Sequence, residues 1–241
     1  MSQDHQLNIK TFNFNSFREN CYVLWDGRGN CVFVDPGCYW LEEFAKLKEL
    51  VKTERLTPKA IWLTHGHFDH VHGVLRIVQE YSVPVLMSPE DKMILDNNPA
   101  AVREFGLVAH DSSEIKTVDI RDGEVLDTLE GSPFRVITTP GHTPGGVCYY
   151  DETDKVLLTG DTLFAGAIGR SDLIGGDYDH LIISIMDKLM GLPGDVDVLP
   201  GHGRKTTIAD ERTHNPFLQP FNEPEEDLDW DGEGIEIEGE K

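Results

Sequence analysis

Basic residues are scarce in this chain: 21 lysines and arginines stand against 43 aspartates and glutamates in 241 residues, a formal net charge of −22 at pH 7. Such a surface repels phosphate backbones and anionic headgroups, so neither a nucleic-acid nor a membrane partner is expected. Part of the imbalance is local, because residues 222–241 carry ten acids and a single lysine. Long apolar runs are missing as well, and nothing approaches the length needed to span a bilayer. The opening M-S-Q-D-H-Q-L-N-I-K has neither the basic nor the apolar part of a secretion signal, so a cytoplasmic location is the expectation. Cysteine is sparse too. Cys21, Cys31, Cys38 and Cys148 show no C-x-x-C spacing and no disulfide framework, and read as small buried hydrophobes in a reducing compartment. No repeat occurs at a solenoid period.

What remains is an ordinary globular composition, 39% hydrophobic, long enough for one large core. Residues 7–12, 21–25 and 31–34 read as strands, the last two joined by the turn D-G-R-G-N. An amphipathic helix follows over 41–51, then a strand over 61–64, a helical period over 71–80 and a short strand over 83–87. Residues 88–115 read as a helix and an irregular connection, broken by Asn97, Asn98 and Pro99. Strands then dominate, over 118–120, 124–127, 134–138, 146–150 and 156–159. A helix over 179–190 and a strand over 196–199 follow. This order predicts an α+β fold with two sheets packed face to face and helices outside. Residues 1–220 form the domain, and the acidic stretch 221–241, poor in large apolar residues, is expected to be a mobile tail.

The chemistry is concentrated in T-H-G-H-F-D-H, which places His65, His67, Asp69 and His70 within six residues. Imidazole and carboxylate are ligands of choice for zinc and its first-row neighbours. On a helix, residues 65 and 67 would point about 200° apart, whereas a looped segment lets them share one ion. The β-branched and aromatic run before the cluster and the helical period after it put these residues on a strand-to-helix loop at a sheet edge. Three later strands end in the same way. One runs into T-P-G-H-T-P-G-G with His142, one into G-D-T-L-F with Asp161, and one into P-G-H-G with His202. Seven nitrogen and oxygen ligands are enough for two ions.

H-x-H-x-D-H followed by His142, Asp161 and His202 resembles the metallo-β-lactamase superfamily. D-T-L-F-A-G-A-I-G-R-S-D-L, L-P-G-H-G and E-R-T-H-N-P-F-L resemble its glyoxalase II-like hydrolases, in the short bacterial form without the helical C-terminal domain. The resemblance covers about residues 7–220 and implies a four-layer αβ/βα sandwich with the site at one edge between the sheets. It implies that His65, His67 and His142 hold one metal, that Asp69, His70 and His202 hold the second, and that Asp161 bridges them. Asp35, in V-D-P-G, matches a position that braces the ligand loop. His5, His72, His110, His180 and His214 fall outside the pattern and receive no role.

Two neighbouring divalent ions can lower the pKa of a shared water from ~15.7 toward ~7, giving a hydroxide nucleophile for a carbonyl carbon. Asp69 and Asp161 are the residues expected to orient it. A thioester suits such a site because a thiolate leaves without a dedicated general acid. The expected partner is therefore a small acyl-thioester such as S-lactoylglutathione. Zinc is the first choice of metal, with iron or manganese also compatible with these ligands. In the long enzymes a lysine and a tyrosine near the bridging aspartate contact glutathione. Arg170 replaces that lysine as the candidate substrate-binding residue, and Asp172 falls near the tyrosine position. Two alternatives use the same scaffold: a persulfide dioxygenase with one iron on the equivalents of His65 or His67, His142 and Asp161, and another hydrolase of the superfamily. No oligomeric state is read from the sequence.

Overall fold

A computed structural model of the chain describes residues 6–108 and 112–219. The acidic stretch 221–241, His5 and His110 lie outside the described residues. Strands β1 (Asn8–Phe14), β2 (Glu19–Trp25) and β3 (Asn30–Val34) form an antiparallel meander, and α1 (Leu41–Thr53) crosses over to β4 (Thr57–Trp62). Next come α2 (Phe68–Val71), α3 (Val74–Tyr81), β5 (Val85–Met87), α4 (Lys92–Glu104) and β6 (Thr117–Asp119). These complete a six-stranded sheet in the order β1-β2-β3-β4-β5-β6, parallel from β3 onward.

The second half contributes β7 (Val125–Leu129), β8 (Ser132–Thr138), β9 (Val147–Asp151) and β10 (Val156–Gly160), then the small hairpin β11 (Leu163–Phe164) and β12 (Ala167–Ile168). Helix α5 (Tyr178–Ser184) continues into a wider turn over Ile185–Leu189, and β13 (Asp197–Pro200), β14 (Thr206–Thr207) and α6 (Ile208–His214) close the domain. The second sheet runs β14-β13-β10-β9-β8-β7.

Strand alternation splits the side chains into three apolar layers. Tyr22, Leu24, Val32, Val34 and Trp62 of the first sheet meet Phe134, Val136, Tyr149 and Leu158 of the second. Their neighbours Cys21, Val23, Phe33 and Ile61 point the other way, onto Leu47 of α1 and Val74 and Ile77 of α3. Cys148 and Leu157 pack outward against Leu181 and Ile182 of α5. Helix, sheet, sheet and helix therefore stack as the expected αβ/βα sandwich. Each large apolar side chain taken fully out of water adds roughly 1.5–3 kcal/mol before entropy is counted. All four cysteines are free and buried, as read from their spacing. Among the described residues no helix is long and apolar enough to cross a membrane.

Two helical expectations need correction. The period over 71–80 is carried by two helices, because α2 starts inside the ligand motif and the chain breaks at Gly73. A Cβ there would lie 2.2 Å from Cys38 Sγ and 2.6 Å from the Pro36 carbonyl oxygen, so only glycine allows this close crossing. The stretch Asn97, Asn98, Pro99 does not break the chain: α4 runs through it. Pro99 has no N–H to offer the Leu95 carbonyl four residues earlier. Ser112 Oγ donates to that carbonyl instead, at 2.6 Å, and Asn98 uses its side chain for a contact elsewhere.

Candidate metal centre

The first ligand loop begins two residues beyond β4 and is pinned before it turns. Tyr149 Oη donates to the Leu63 carbonyl at 2.7 Å, while Thr64 donates through its N–H and its hydroxyl to the two oxygens of Asp35, at 2.7 and 2.6 Å. Asp35 is buried in a left-handed conformation, φ 47°, just past β3, which lets its carboxylate reach across to the loop. With its proton committed to Asp35, the Thr64 hydroxyl is left as an acceptor for His65 Nδ1, 3.0 Å away. That contact puts the His65 proton on Nδ1 and leaves Nε2 bare.

The same arrangement recurs around the site. His70 Nδ1 lies 3.1 Å from Asp35 Oδ2, His142 Nδ1 2.6 Å from the Arg170 carbonyl oxygen, and His202 Nδ1 3.1 Å from the Phe17 carbonyl oxygen. In each ring the outer nitrogen is held by an oxygen and Nε2 faces the centre, as in metal-binding histidines generally. His67 is the exception, with Nδ1 turned inward to within 2.9 Å of His142 Nε2.

The structure brings together all seven residues singled out in the sequence. Inward atoms of His65, His67 and His142 lie within 4.8 Å of one another, and so do those of Asp69, His70 and His202. Asp161 stands between the groups, with Oδ1 3.4 Å from His70 Nε2 and Oδ2 3.6 Å from both His142 Nε2 and His202 Nε2. Asp69 Oδ2 is 3.3 Å from His202 Nε2. Gly201 makes room for this convergence: a Cβ there would sit 2.3 Å from Asp161 Oδ1 and 2.7 Å from His70 Cε1.

Three converging atoms, His65 Nε2, His70 Nε2 and Asp161 Oδ1, are buried without any hydrogen-bond partner. Leaving such atoms unpaired costs about 1–3 kcal/mol each, and a shared cation removes the cost. The donor set, five imidazoles and two carboxylates, fits a pair of first-row divalent ions.

Electrostatics separate the two groups. Burial drives His65 well below the usual imidazole range and His67 down to about 4, with the neighbouring imidazoles adding to it. Both are neutral at pH 7 with lone pairs to give. Burial also pulls on His70, but Asp161 and Asp69 outweigh it and hold that ring well above its ordinary value. Burial alone would lift Asp161, yet His70 and then His142 and His65 keep its carboxyl well below the usual carboxylate range. Asp69 is lowered for the same reason, with His70 and His202 overcoming burial.

Several bracing residues carry no signal in the sequence. Asp91 accepts from Gly66 N at 2.7 Å, Thr143 Oγ1 at 2.9 Å and Gly145 N at 2.6 Å, tying the His65–His70 loop to the His142 loop. Asn98 Nδ2 donates to the Gly66 carbonyl at 2.8 Å, and Asn15 Nδ2 to the Asp69 carbonyl at 2.8 Å. Asn20 Nδ2 and Tyr22 Oη both donate to the Pro200 carbonyl, holding the His202 loop. E-R-T-H-N-P-F-L, by contrast, is a motif the sequence did show: Glu211 accepts from Gly166 N and Asn215 donates to the Ala167 carbonyl, fastening the hairpin that follows Asp161. Glu19 is fully buried with both carboxylate oxygens unpartnered, and burial pushes its carboxyl well up.

Arg170, expected to meet substrate, lies exposed with its guanidinium in a two-pronged pair with Asp172, at 2.8 and 2.9 Å. His72 packs against Tyr39 and Phe68, and His180 pairs with Asp177 at the surface.

Residues 16–202 match the family model of the metallo-beta-lactamase superfamily. The chain is 38% identical over 213 residues to the hydroxyacylglutathione hydrolase GloC of Haemophilus influenzae, covering 88% of this chain and 98% of that protein. A solved structure of TTHA1623 in a di-iron-bound form superposes with a TM-score of 0.78 at 36% identity, covering 87% of this chain and all of the other. A B3 metallo-beta-lactamase, BLEG-1, superposes with a TM-score of 0.75 at 37% identity, over 88% of this chain and 99% of that one. The chain belongs to the metallo-beta-lactamase superfamily.

Proposed function

We propose that this member of the metallo-beta-lactamase superfamily is a cytoplasmic, dinuclear metal-dependent hydrolase of small acyl-thioesters, S-lactoylglutathione being the first substrate to test. The observation that carries the reading is the pairing of two ligand groups through Asp161, with a buried imidazole nitrogen that has no hydrogen-bond partner on each side. The likeness to GloC over nearly its whole length supports the thioester. His65, His67 and His142 would hold one ion, Asp69, His70 and His202 the other, with Asp161 shared.

Bound there, divalent ions supply Lewis acidity toward a carbonyl oxygen and lower the pKa of a water near them. The chain's own part is to orient and to keep protonation states fixed. Neutral His65 and His67 offer lone pairs without first losing a proton. Asp69 and Asp161 stay ionised, so both can accept a hydrogen bond from a water at the centre and aim its lone pair. His202, with 27% of its side chain exposed, is one of the members of the site that solvent and substrate can reach, with His67 and Asp69 also part-exposed. No further acid is needed, because a thiolate departs unaided near neutral pH.

Purified protein loaded with zinc, iron or manganese should bind two equivalents and release thiol from S-lactoylglutathione, read with a chromogenic disulfide. The reading fails if metal analysis gives a single iron and oxygen is consumed with glutathione persulfide. It fails equally if a chromogenic β-lactam is opened and no thioester is cleaved.

A further inference from the structure

The edge of the site at His202 is where two separate segments meet. Glu19 and His202 form an antiparallel bridge, Asn20 N donates to the Gly201 carbonyl at 2.7 Å, and Asn20 Nδ2 donates to the Gly203 carbonyl at 2.9 Å. The Phe17 carbonyl receives His202 Nδ1. Together these contacts hold Phe17 and Arg18 alongside Gly203 and Arg204. Both arginines are exposed, and among the described residues neither guanidinium has an ion pair or a hydrogen bond.

Exposed Lys46, Arg55 and Arg103 likewise have no ion pair among the described residues, so what sets Arg18 and Arg204 apart is their place beside His202. Arg18 lies in the left-handed region, at φ 58°, as Arg55 and Lys155 do, and its N–H donates to the Asn15 carbonyl at 3.4 Å. Two exposed guanidiniums beside the part-exposed His202, neither paired among the described residues, make a local positive edge on a negative molecule, where an anionic substrate gains from steering.

We propose that Arg18 and Arg204 form the rim that recognises an anionic group, carboxylate or phosphate, on the thiol portion of the substrate. The inference rests on the thioester hydrolase reading and assigns its specificity. A guanidinium binds either anion through two parallel N–H donors, whereas an ammonium meets them as a point charge. The two sources of such an anion are a peptide thiol, which carries carboxylates, and a phosphorylated carrier thiol.

The test compares S-lactoylglutathione, acetyl-coenzyme A and the uncharged acetyl-N-acetylcysteamine on the metal-loaded protein, its Arg18→Gln/Arg204→Gln variant and Arg170→Gln. Expected is a fall of about 10–100-fold in the ratio of kcat/KM for the preferred anionic thioester to that for the uncharged one in the double variant. The fall should be carried by KM, with a much smaller change in Arg170→Gln. Whichever of the two anionic thioesters shows it identifies carboxylate or phosphate. An Arg18→Lys/Arg204→Lys variant should recover part of the loss. In parallel, calorimetry with S-methylglutathione and with free coenzyme A should show the same loss of binding in the double variant. An equal change for charged and uncharged thioesters overturns the rim, as does no change at all. If no thioester is cleaved, the hydrolase reading falls, and the rim is then judged by the calorimetry alone.

Discussion

Asp91 offers the sharpest test of how this site is held together. Its buried carboxylate accepts three hydrogen bonds, two from backbone N–H groups of the ligand loops and one from the Thr143 hydroxyl. Asp91→Ala strands all three donors. A hydrogen bond to a charged group contributes about 1.5–3 kcal/mol, and a stranded buried donor costs ~1–3 kcal/mol. Against this, removing the carboxylate recovers its own desolvation cost, which is why burial pushes the Asp91 carboxyl up despite its donors. The net loss should be about 2–4 kcal/mol, or roughly 4–16 °C in Tm for a domain of this size. Asp91→Asn keeps the shape but turns an NH2 toward one of the N–H donors, so its loss should be smaller. Because the clamp joins the His65–His70 loop to the His142 loop, metal affinity should also drop ~10–100-fold, as when partners of metal ligands are removed. Urea unfolding of the metal-free protein measures the first effect and competition with a chromogenic chelator the second. Stability within 0.5 kcal/mol of the parent together with unchanged metal affinity in Asp91→Ala would refute the clamp.

Asp26 supplies the control and the pH dependence. It accepts from Arg28 N, Asn30 N, Asn30 Nδ2 and Glu130 N at the far end of β2, and those donors outweigh burial to hold its carboxyl below the usual range. A group lowered on folding contributes in full above its unfolded value, ~3.9, and loses that contribution as pH falls through the folded value. Asp26→Ala should therefore cost ~2–4 kcal/mol at pH 6–9, nearly independent of pH there. The gap to the parent should narrow below about pH 4, and metal affinity should be unchanged throughout. A gap that persists at pH 2.5 in urea titrations would argue against this. Gly201→Ala places a methyl group against Asp161 and His70, and overpacking of this kind costs ~1–3 kcal/mol. Elemental analysis should find fewer than two metals per chain, whereas two at parental affinity would show that the loop yields freely. Chelation of the loaded protein should lower Tm by roughly 8–16 °C, since ligand at about 1,000 times Kd adds ~4.1 kcal/mol. Calorimetric scans with and without chelator decide it, and identical traces would mean that no metal stabilises this fold.

The seven converging residues were legible because metal chemistry restricts residue type. His65, His67, Asp69, His70, His142, Asp161 and His202 are what imidazole and carboxylate coordination demands, and each follows an apolar strand that could be read. The strands were legible because alternation along β2, β3, β8 and β9 sends one set of side chains between the sheets and the other toward the helices. What stayed hidden depends on contacts distant in sequence. Whether Pro99 ends a helix is decided by Ser112, thirteen residues on, which takes over the carbonyl that proline leaves empty. Likewise nothing in the sequence sets Asp91 apart, and only the approach of Gly66 and Gly145 makes it a clamp.

The same distinction accounts for the mouth of the site. Metal ligands must come from a few residue types, but a rim that recognises a substrate can be drawn from any segment the fold carries there. Attention to the stretch after Asp161 leads to Arg170, whose side chain is engaged by Asp172 and whose carbonyl steadies His142. Arg18 and Arg204 are 186 positions apart and belong to no motif. They become neighbours only because β2 begins beside the loop that leaves β13, locked by Asn20 and by the bridge from Glu19 to His202. Asp35, His65, His142, Asp161 and His202 all lie just beyond the ends of strands that finish at one edge of the sandwich. A chain that gathers its candidate ligands there gathers the flanking residues too, so on the proposed reading specificity can change through Arg18 or Arg204 while the seven converging residues stay in place.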